Sequence, residues 1–159
     1  QSRNAEGRQW ARHARAHAEA SGEDLLQASA LHALADVAHK ESEFVEAKAL
    51  AEQAMAIRTE VLGRAHTARL PSLNLLGLIA SDTGKFDEAQ KFYNEGLELG
   101  REVLGADHPD LARFLNNLAK IWAGLPTSNG KSYYHNYAGN RATVSWDSYK
   151  ARMDAIFSS

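Results

Sequence analysis

Val61-Leu62-Gly63-Arg64-Ala65-His66 returns 42 residues on as Val103-Leu104-Gly105-Ala106-Asp107-His108. Working outward at the same shift, Glu46-Ala47 returns as Glu88-Ala89, Phe44 as Phe86, and Leu73-Asn74 as Leu115-Asn116. Leu31-x-x-Leu34-Ala35 recurs both as Leu73-x-x-Leu76-Gly77 and as Leu115-x-x-Leu118-Ala119. Self-similarity at a fixed period of this size marks stacked supersecondary units, none of which buries its apolar face alone. The reading is a helical solenoid.

Within each unit, two stripes with helical spacing follow one another. Leu31, Leu34, Ala35 and Ala38 fall at i, i+3, i+4 and i+7, and Leu73, Leu76, Gly77 and Ala80 repeat them, as do Leu115, Leu118, Ala119 and Trp122. A second stripe runs through Ala47, Leu50, Ala51, Ala54 and Met55, and again through Ala89, Phe92, Tyr93, Gly96 and Leu97. Each unit is therefore a helix pair, with helices expected near 23–40, 44–62, 69–82 and 86–104 and a third first helix from about Pro109 to Ala123. Small residues at 35, 77 and 119 on first helices, and at 47, 54, 89 and 96 on second helices, sit where axes must approach closely. Gly84 suits a left-handed helix end between the two helices of the second unit.

These residues resemble the tetratricopeptide repeat family. Its pattern sets large, large, small and large residues on the first helix and small, aromatic and small on the second, and Leu73, Leu76, Gly77, Ala80, Ala89, Tyr93 and Gly96 fit it in order. The long period, with second helices ending in Leu-Gly-x-x-His, resembles the kinesin-light-chain type rather than the standard form of about 34 residues. The resemblance spans about residues 28 to 124. It implies an all-α solenoid of antiparallel helix pairs whose first helices line a concave groove.

One domain is expected, with an N-terminal capping helix over 4–22, repeat 1 over 23–66 and repeat 2 over 67–108. The first helix of an incomplete repeat 3 follows over 109–124, then a Tyr-rich loop or hairpin over 125–145 and a C-terminal capping helix over 146–157. The N-terminal helix reads as a degenerate second helix. Shifting back one period puts the small positions on Ala5 and Arg12, and Trp10, Ala14 and Ala18 offer a narrow buried stripe. Near the C-terminus, aromatic and β-branched residues flank a Gly139-Asn140 turn, which reads as a β-hairpin or else as an irregular loop. Trp146, Tyr149, Met153, Ile156 and Phe157 form the stripe of the last helix.

The 159 residues are 44% hydrophobic and 24% charged, ordinary for a globular domain. A net charge of −2 leaves no overall basic footprint for nucleic acid, although the first seventeen residues are locally basic. No apolar run approaches the roughly 20 residues that span a bilayer. Cysteine is absent, which removes disulfides, thiolate zinc sites and cysteine nucleophiles. The chain starts at Gln1 rather than Met; a removed signal peptide would make it an exported or periplasmic bacterial protein, a reading slightly preferred to a cytoplasmic one.

No catalytic constellation stands out: there is no Gly-rich phosphate loop, Gly-x-Ser-x-Gly elbow or His-Glu-x-x-His helix. Enzyme activity and a cofactor are not expected. His32, Asp36 and His39 share one helix face and are zinc-ligand types, but the repeat register puts them on the concave lining, and a closed site needs a fourth ligand. No metal is expected there. His66 and His108 recur with the scaffold, as residues that tie down an interhelix turn do.

Function is therefore expected on the surface. By family register the groove lining is His32, Asp36, His39, Asn74, Leu78, Arg113, Asn116 and Lys120. A side-chain amide both donates and accepts, so Asn74 and Asn116, at equivalent positions, suit the backbone of an extended peptide. Arg113 and Lys120 favour a partner with an acidic stretch. Family members that hold a chaperone's C-terminal carboxylate use Lys, Asn and Arg positions that carry His32, Asp36 and Leu75 here, so that specificity is not expected. The alternative is self-assembly: incomplete units at both ends would complement one another head to tail, and Tyr133, Tyr134, Tyr137 and Trp146 would add a contact in a homo-oligomer.

Overall fold

In a computed structural model the chain is described over residues 2–106 and 108–122. The hairpin, the C-terminal capping helix and the Tyr133, Tyr134, Tyr137 and Trp146 surface lie outside the described residues. Among the described residues six helices follow in order: α1 (Ser2–Ser21), α2 (Asp24–Lys40), α3 (Phe44–Leu62), α4 (Leu70–Asp82), α5 (Phe86–Leu104) and α6 (Leu111–Trp122), with a 3-10 turn at Thr67–Arg69 before α4. The fold is an all-α helical repeat, and four of the helices match the expected spans to within one residue.

From α2 onward two kinds of connection alternate, each for a local reason. Between α2 and α3 the Glu43 N–H donates to the Ala38 carbonyl at 2.9 Å, and between α4 and α5 the Lys85 N–H donates to the Ala80 carbonyl at 2.8 Å. Both closures place one residue in the left-handed region, Ser42 at φ 64° and Gly84 at φ 78°. The longer connections leave α3 at Gly63 and α5 at Gly105. There the recurring histidines act on the turn: His66 Nδ1 accepts the Ala68 N–H at 3.1 Å, and His108 Nδ1 accepts the Asp110 N–H at 3.2 Å. Because the second turn continues with the Leu111 N–H donating to the His108 carbonyl, α6 begins at Leu111 rather than at Pro109.

The 42-residue register does not run back into α1. Ala5, Arg12 and Trp10 are exposed, Trp10 by 75%, whereas Ala11 and Ala18 are buried. The reason is the turn. The Glu23 N–H donates to the Ala18 carbonyl at 3.0 Å, the short closure seen after α2 and α4, so the buried stripe of α1 is set by its turn into α2. Arg8, on the same helix, reaches Glu41, Glu43 and Glu46 around the α2–α3 turn, the latter two at 2.8 and 3.2 Å. That contact holds the Glu43 carboxyl below its ordinary range.

Packing falls into two apolar clusters, one around Leu31, Leu34, Leu50, Leu75, Leu76 and Ile79, the other around Leu73, Phe86, Tyr93, Leu97, Phe114 and Leu118. Met55 and Phe92 touch both and join them. Volume is exchanged across equivalent joints. Where α5 meets α6, Gly96 and Gly100 receive Phe114 and Leu111, and a Cβ at either glycine would lie 2.2 or 2.3 Å from them. One period earlier the same positions hold Ala54 and Arg58, facing Ser72, which is fully buried. Arg58 Nη1 donates to Ser72 Oγ at 2.8 Å, so a large polar residue on α3 fills the space that an aromatic on α6 fills in the next joint.

Candidate functional site

The face carried by α2, α4 and α6 is held by two lateral hydrogen bonds. His39 Nε2 lies 2.8 Å from Asp82 Oδ2, joining α2 to α4, and Asn117 Nδ2 donates to Asn74 Oδ1 at 3.1 Å, joining α6 to α4. Asp82 is 4% exposed, and its burial makes a partner necessary: a carboxylate removed from water is tolerated only when its oxygens are satisfied. Its charge also reaches Tyr93, whose hydroxyl is pushed above its usual range, by burial first and then by Asp82. His39 packs its ring against Phe44 at a centroid distance of 5.9 Å.

The expected lining residues thus divide. His39 is spent on Asp82, and Asn74 on Asn117 rather than standing with Asn116, which is exposed. Asp36 faces Lys40, one turn along its own helix, at 3.8 Å. Leu78 is half-buried, and Arg113 and Lys120 are exposed without an ion pair among the described residues. His32 is half-buried beside Arg58. Burial holds its imidazole below the ordinary pKa, repulsion from Arg58 lowers it further, and Asp36 opposes the shift in part. His32, Asp36 and His39 are therefore engaged separately, and no group of three or more metal-ligating side chains converges among the described residues.

Four residues of the site were not singled out from the sequence: Asp82, Asn117, Arg58 and Ser72. A signal existed for the first two in their spacing. His39 to Asp82 and Asn74 to Asn117 are both 43 residues, one period plus one. For Arg58 the sequence offers only a cation in line with the second-helix stripe, at a position whose equivalent one period on is Gly100.

A concavity of about 290 Å³ opens between the starts of α3 and α5 and the end of α4, lined by Phe44, Val45, Ala49 and Ile79. The ion pair of Lys48 with Glu88 crosses it at 2.5 Å and raises the pKa of the lysine. No helix among the described residues is long and apolar enough to cross a membrane.

Helix pairs repeating at a fixed period, with a polar face shared by successive first helices, define a protein-interaction scaffold. A family model of the tetratricopeptide repeat matches residues 26–100 and 66–122, and the chain belongs to that family. Repeats of this family generally mediate protein–protein interaction, and the family is typically without catalytic activity. No curated protein matches the chain.

Proposed function

We propose that the face of α2, α4 and α6 binds an extended or helical segment of a partner protein, with its basic end over α6 meeting acidic side chains of that segment. The observation that carries this reading is the contrast along the face. Its α2–α4 side is closed by the partly buried His39–Asp82 contact, whereas Arg113, Asn116 and Lys120 stand exposed on α6 beside the Asn74–Asn117 amide pair. Amides pair with a peptide backbone irrespective of its sequence, and cations at a rim speed encounter with an anionic partner. The 42-residue period and the Leu-Gly-x-x-His helix ends support the kinesin-light-chain type of repeat.

Selection from a random peptide library, followed by calorimetry with the Asn116→Ala and Lys120→Glu variants, tests the reading. Loss of affinity in both is expected; peptides that bind both variants as tightly as the wild type would place binding elsewhere. Exposure of Trp10 on the outer side of α1 favours a second reading, contact between copies, and a size-exclusion mass that rises with concentration would support it.

A further inference from the structure

Val45, at the second position of α3, is 89% exposed, more than any other large apolar side chain among the described residues. A lone exposed valine needs no explanation, since apolar atoms make up much of any protein surface. This one, however, lines the concavity of about 290 Å³ described above, together with Ala49 one turn on. Leu76, Ile79 and Ala80 of α4, all buried, line its other side. The volume is at the lower end of the range for ligand pockets, roughly 300 Å³ and above, and suits one or two side chains better than a cofactor.

The repeat does not ask for this apolar wall. One period on, Val45 and Ala49 become Asp87 and Lys91, both exposed. An acidic residue in the first turn also complements the positive end of the helix, as Asp87 does in α5, and Val45 forgoes that gain. The apolar edge is thus peculiar to α3, at the one place where it borders a concavity.

Charge indicates what fills it. Of the exposed positions on α3 and α5, three and four respectively are acidic, against a single cation, Lys91. At the groove itself the two lysines are offset: Lys48 lies 2.5 Å from Glu88 and 3.8 Å from Glu52, and Lys85 lies 4.0 Å from Glu88. The field over the groove is therefore negative, and it acts on a charged partner within a Debye length of about 8–10 Å. A second copy presenting its exposed Trp10 offers no matching charge. On α1, Arg8 is engaged with three carboxylates and Arg15 with Glu19 at 2.7 Å, which leaves Arg12 to offset Glu6.

We propose that the groove between α3 and α5 docks a partner-protein segment in which a large apolar side chain, Leu or Phe, is flanked by lysines or arginines. The apolar side chain enters beside Val45, Ala49 and Ile79, and the flanking cations lie over the carboxylates of α3 and α5, Glu52 being at the rim. This surface is separate from the α2, α4 and α6 face, since none of the residues expected to line that face borders the groove. Its charge is also opposite to that of Arg113 and Lys120. One chain thereby holds a basic segment on one surface and an acidic segment on another.

The test uses a random peptide library selected on the wild type and counter-selected on the Val45→Asp, Ala49→Lys double variant. That variant installs the residues of the next unit at two exposed positions and leaves the net charge unchanged, so it removes the apolar wall alone; an unaltered melting temperature checks that it folds. Surviving peptides should share a Leu or Phe flanked by Lys or Arg, and in methyl NMR they should shift the signals of Val45, Ala49 and Ile79. Replacing that Leu or Phe by Ala should weaken binding about tenfold. Glu52→Lys should slow association and flatten its salt dependence.

No surviving peptide, or survivors lacking either the apolar residue or the flanking cations, overturns the proposal. So does equal binding of the Ala-substituted peptide, which would reduce the contact to charge alone. Lys120→Glu and Asn116→Ala should leave this binding intact; its loss in either would move these peptides to the α2, α4 and α6 face and overturn the separate site. A sedimentation mass that rises with concentration in the wild type and not in the double variant would give the groove to a second copy instead, and overturn the partner assigned here.

Discussion

Asn117 on α6 donates to Asn74 on α4 at 3.1 Å, and the two residues are separated by 43 positions, the same as His39 and Asp82. Successive first helices are thus stitched at two heights by a contact of one period plus one residue. Each bond joins partly buried side chains, so each adds to stability as well as to alignment. Asn74→Ala and Asn117→Ala should each lower unfolding free energy by about 1 kcal/mol, with a coupling of about 0.5–1.5 kcal/mol in the double mutant. Urea unfolding of the four proteins measures it, and additive losses would mean that the amides do not act as a pair.

Gly77 is a close approach with an identified neighbour. A Cβ there would lie 2.3 Å from Tyr93 Cε1, and Tyr93 is 1% exposed, so the ring has nowhere to move. Gly77→Ala should cost about 1–3 kcal/mol. Replacing Tyr93 by Leu should recover part of that loss in the Gly77→Ala background. It should recover nothing in Gly96→Ala, where the obstacle is Phe114, and equal rescue of both would contradict the packing described.

His32 makes the fold sensitive to mild acid. Its pKa in the folded chain is below the ordinary 6.5, because burial and Arg58 both oppose a second positive charge. The unfolded chain therefore binds the proton more readily. Stability is fully present above pH 6.5 and declines as pH falls below that value towards the folded pKa. His32→Asn, which installs the residue found one period later, should flatten this part of the melting curve against pH. A decline as steep as that of the wild type would assign it to another group.

Arg8 ties α1 to the turn between α2 and α3 through three carboxylates, and a charge network of this kind weakens as salt screens it. In Arg8→Ala the amides of α1 should exchange hydrogen faster than in the wild type, with α4 and α5 unaffected. Raising the salt concentration should bring the wild type towards the variant. Unchanged exchange in α1 would show that its packing through Ala11 and Ala18 is sufficient.

Much of the fold could be read from the shift of 42 residues, because a repeat writes its buried positions down more than once. Gly77 and Gly96 were legible as close approaches, and His66 and His108 as turn residues, since each had a second copy to confirm its place. Trp10 was misplaced because α1 has no copy: its register follows a short turn into α2, and apolar character alone drew Trp10 inward. The site was harder. Equivalence by period pairs Asn74 with Asn116, but the contact between the two helices falls one residue on, at Asn117. Arg58 was missed because a cation in a sequence reads as exposed, and its burial depends on the absence of side-chain volume at Ser72 across the joint.

The exchange of volume between Arg58–Ser72 and Gly100–Phe114 gives the array a fixed order. Duplicating residues 67–108 would create a new junction in which Gly96 faces Ser72, small against small, with a void where an aromatic belongs, and Gly100 faces Arg69 in place of Leu111. Deleting the same residues would drive Phe114 and Leu111 against Ala54 and Arg58, where no room exists. Neither insertion nor loss of a unit is neutral, although the units share one backbone plan. Growth of this protein by copying its middle repeat, the usual evolutionary route for such arrays, would have to be accompanied by substitutions on both sides of the new seam.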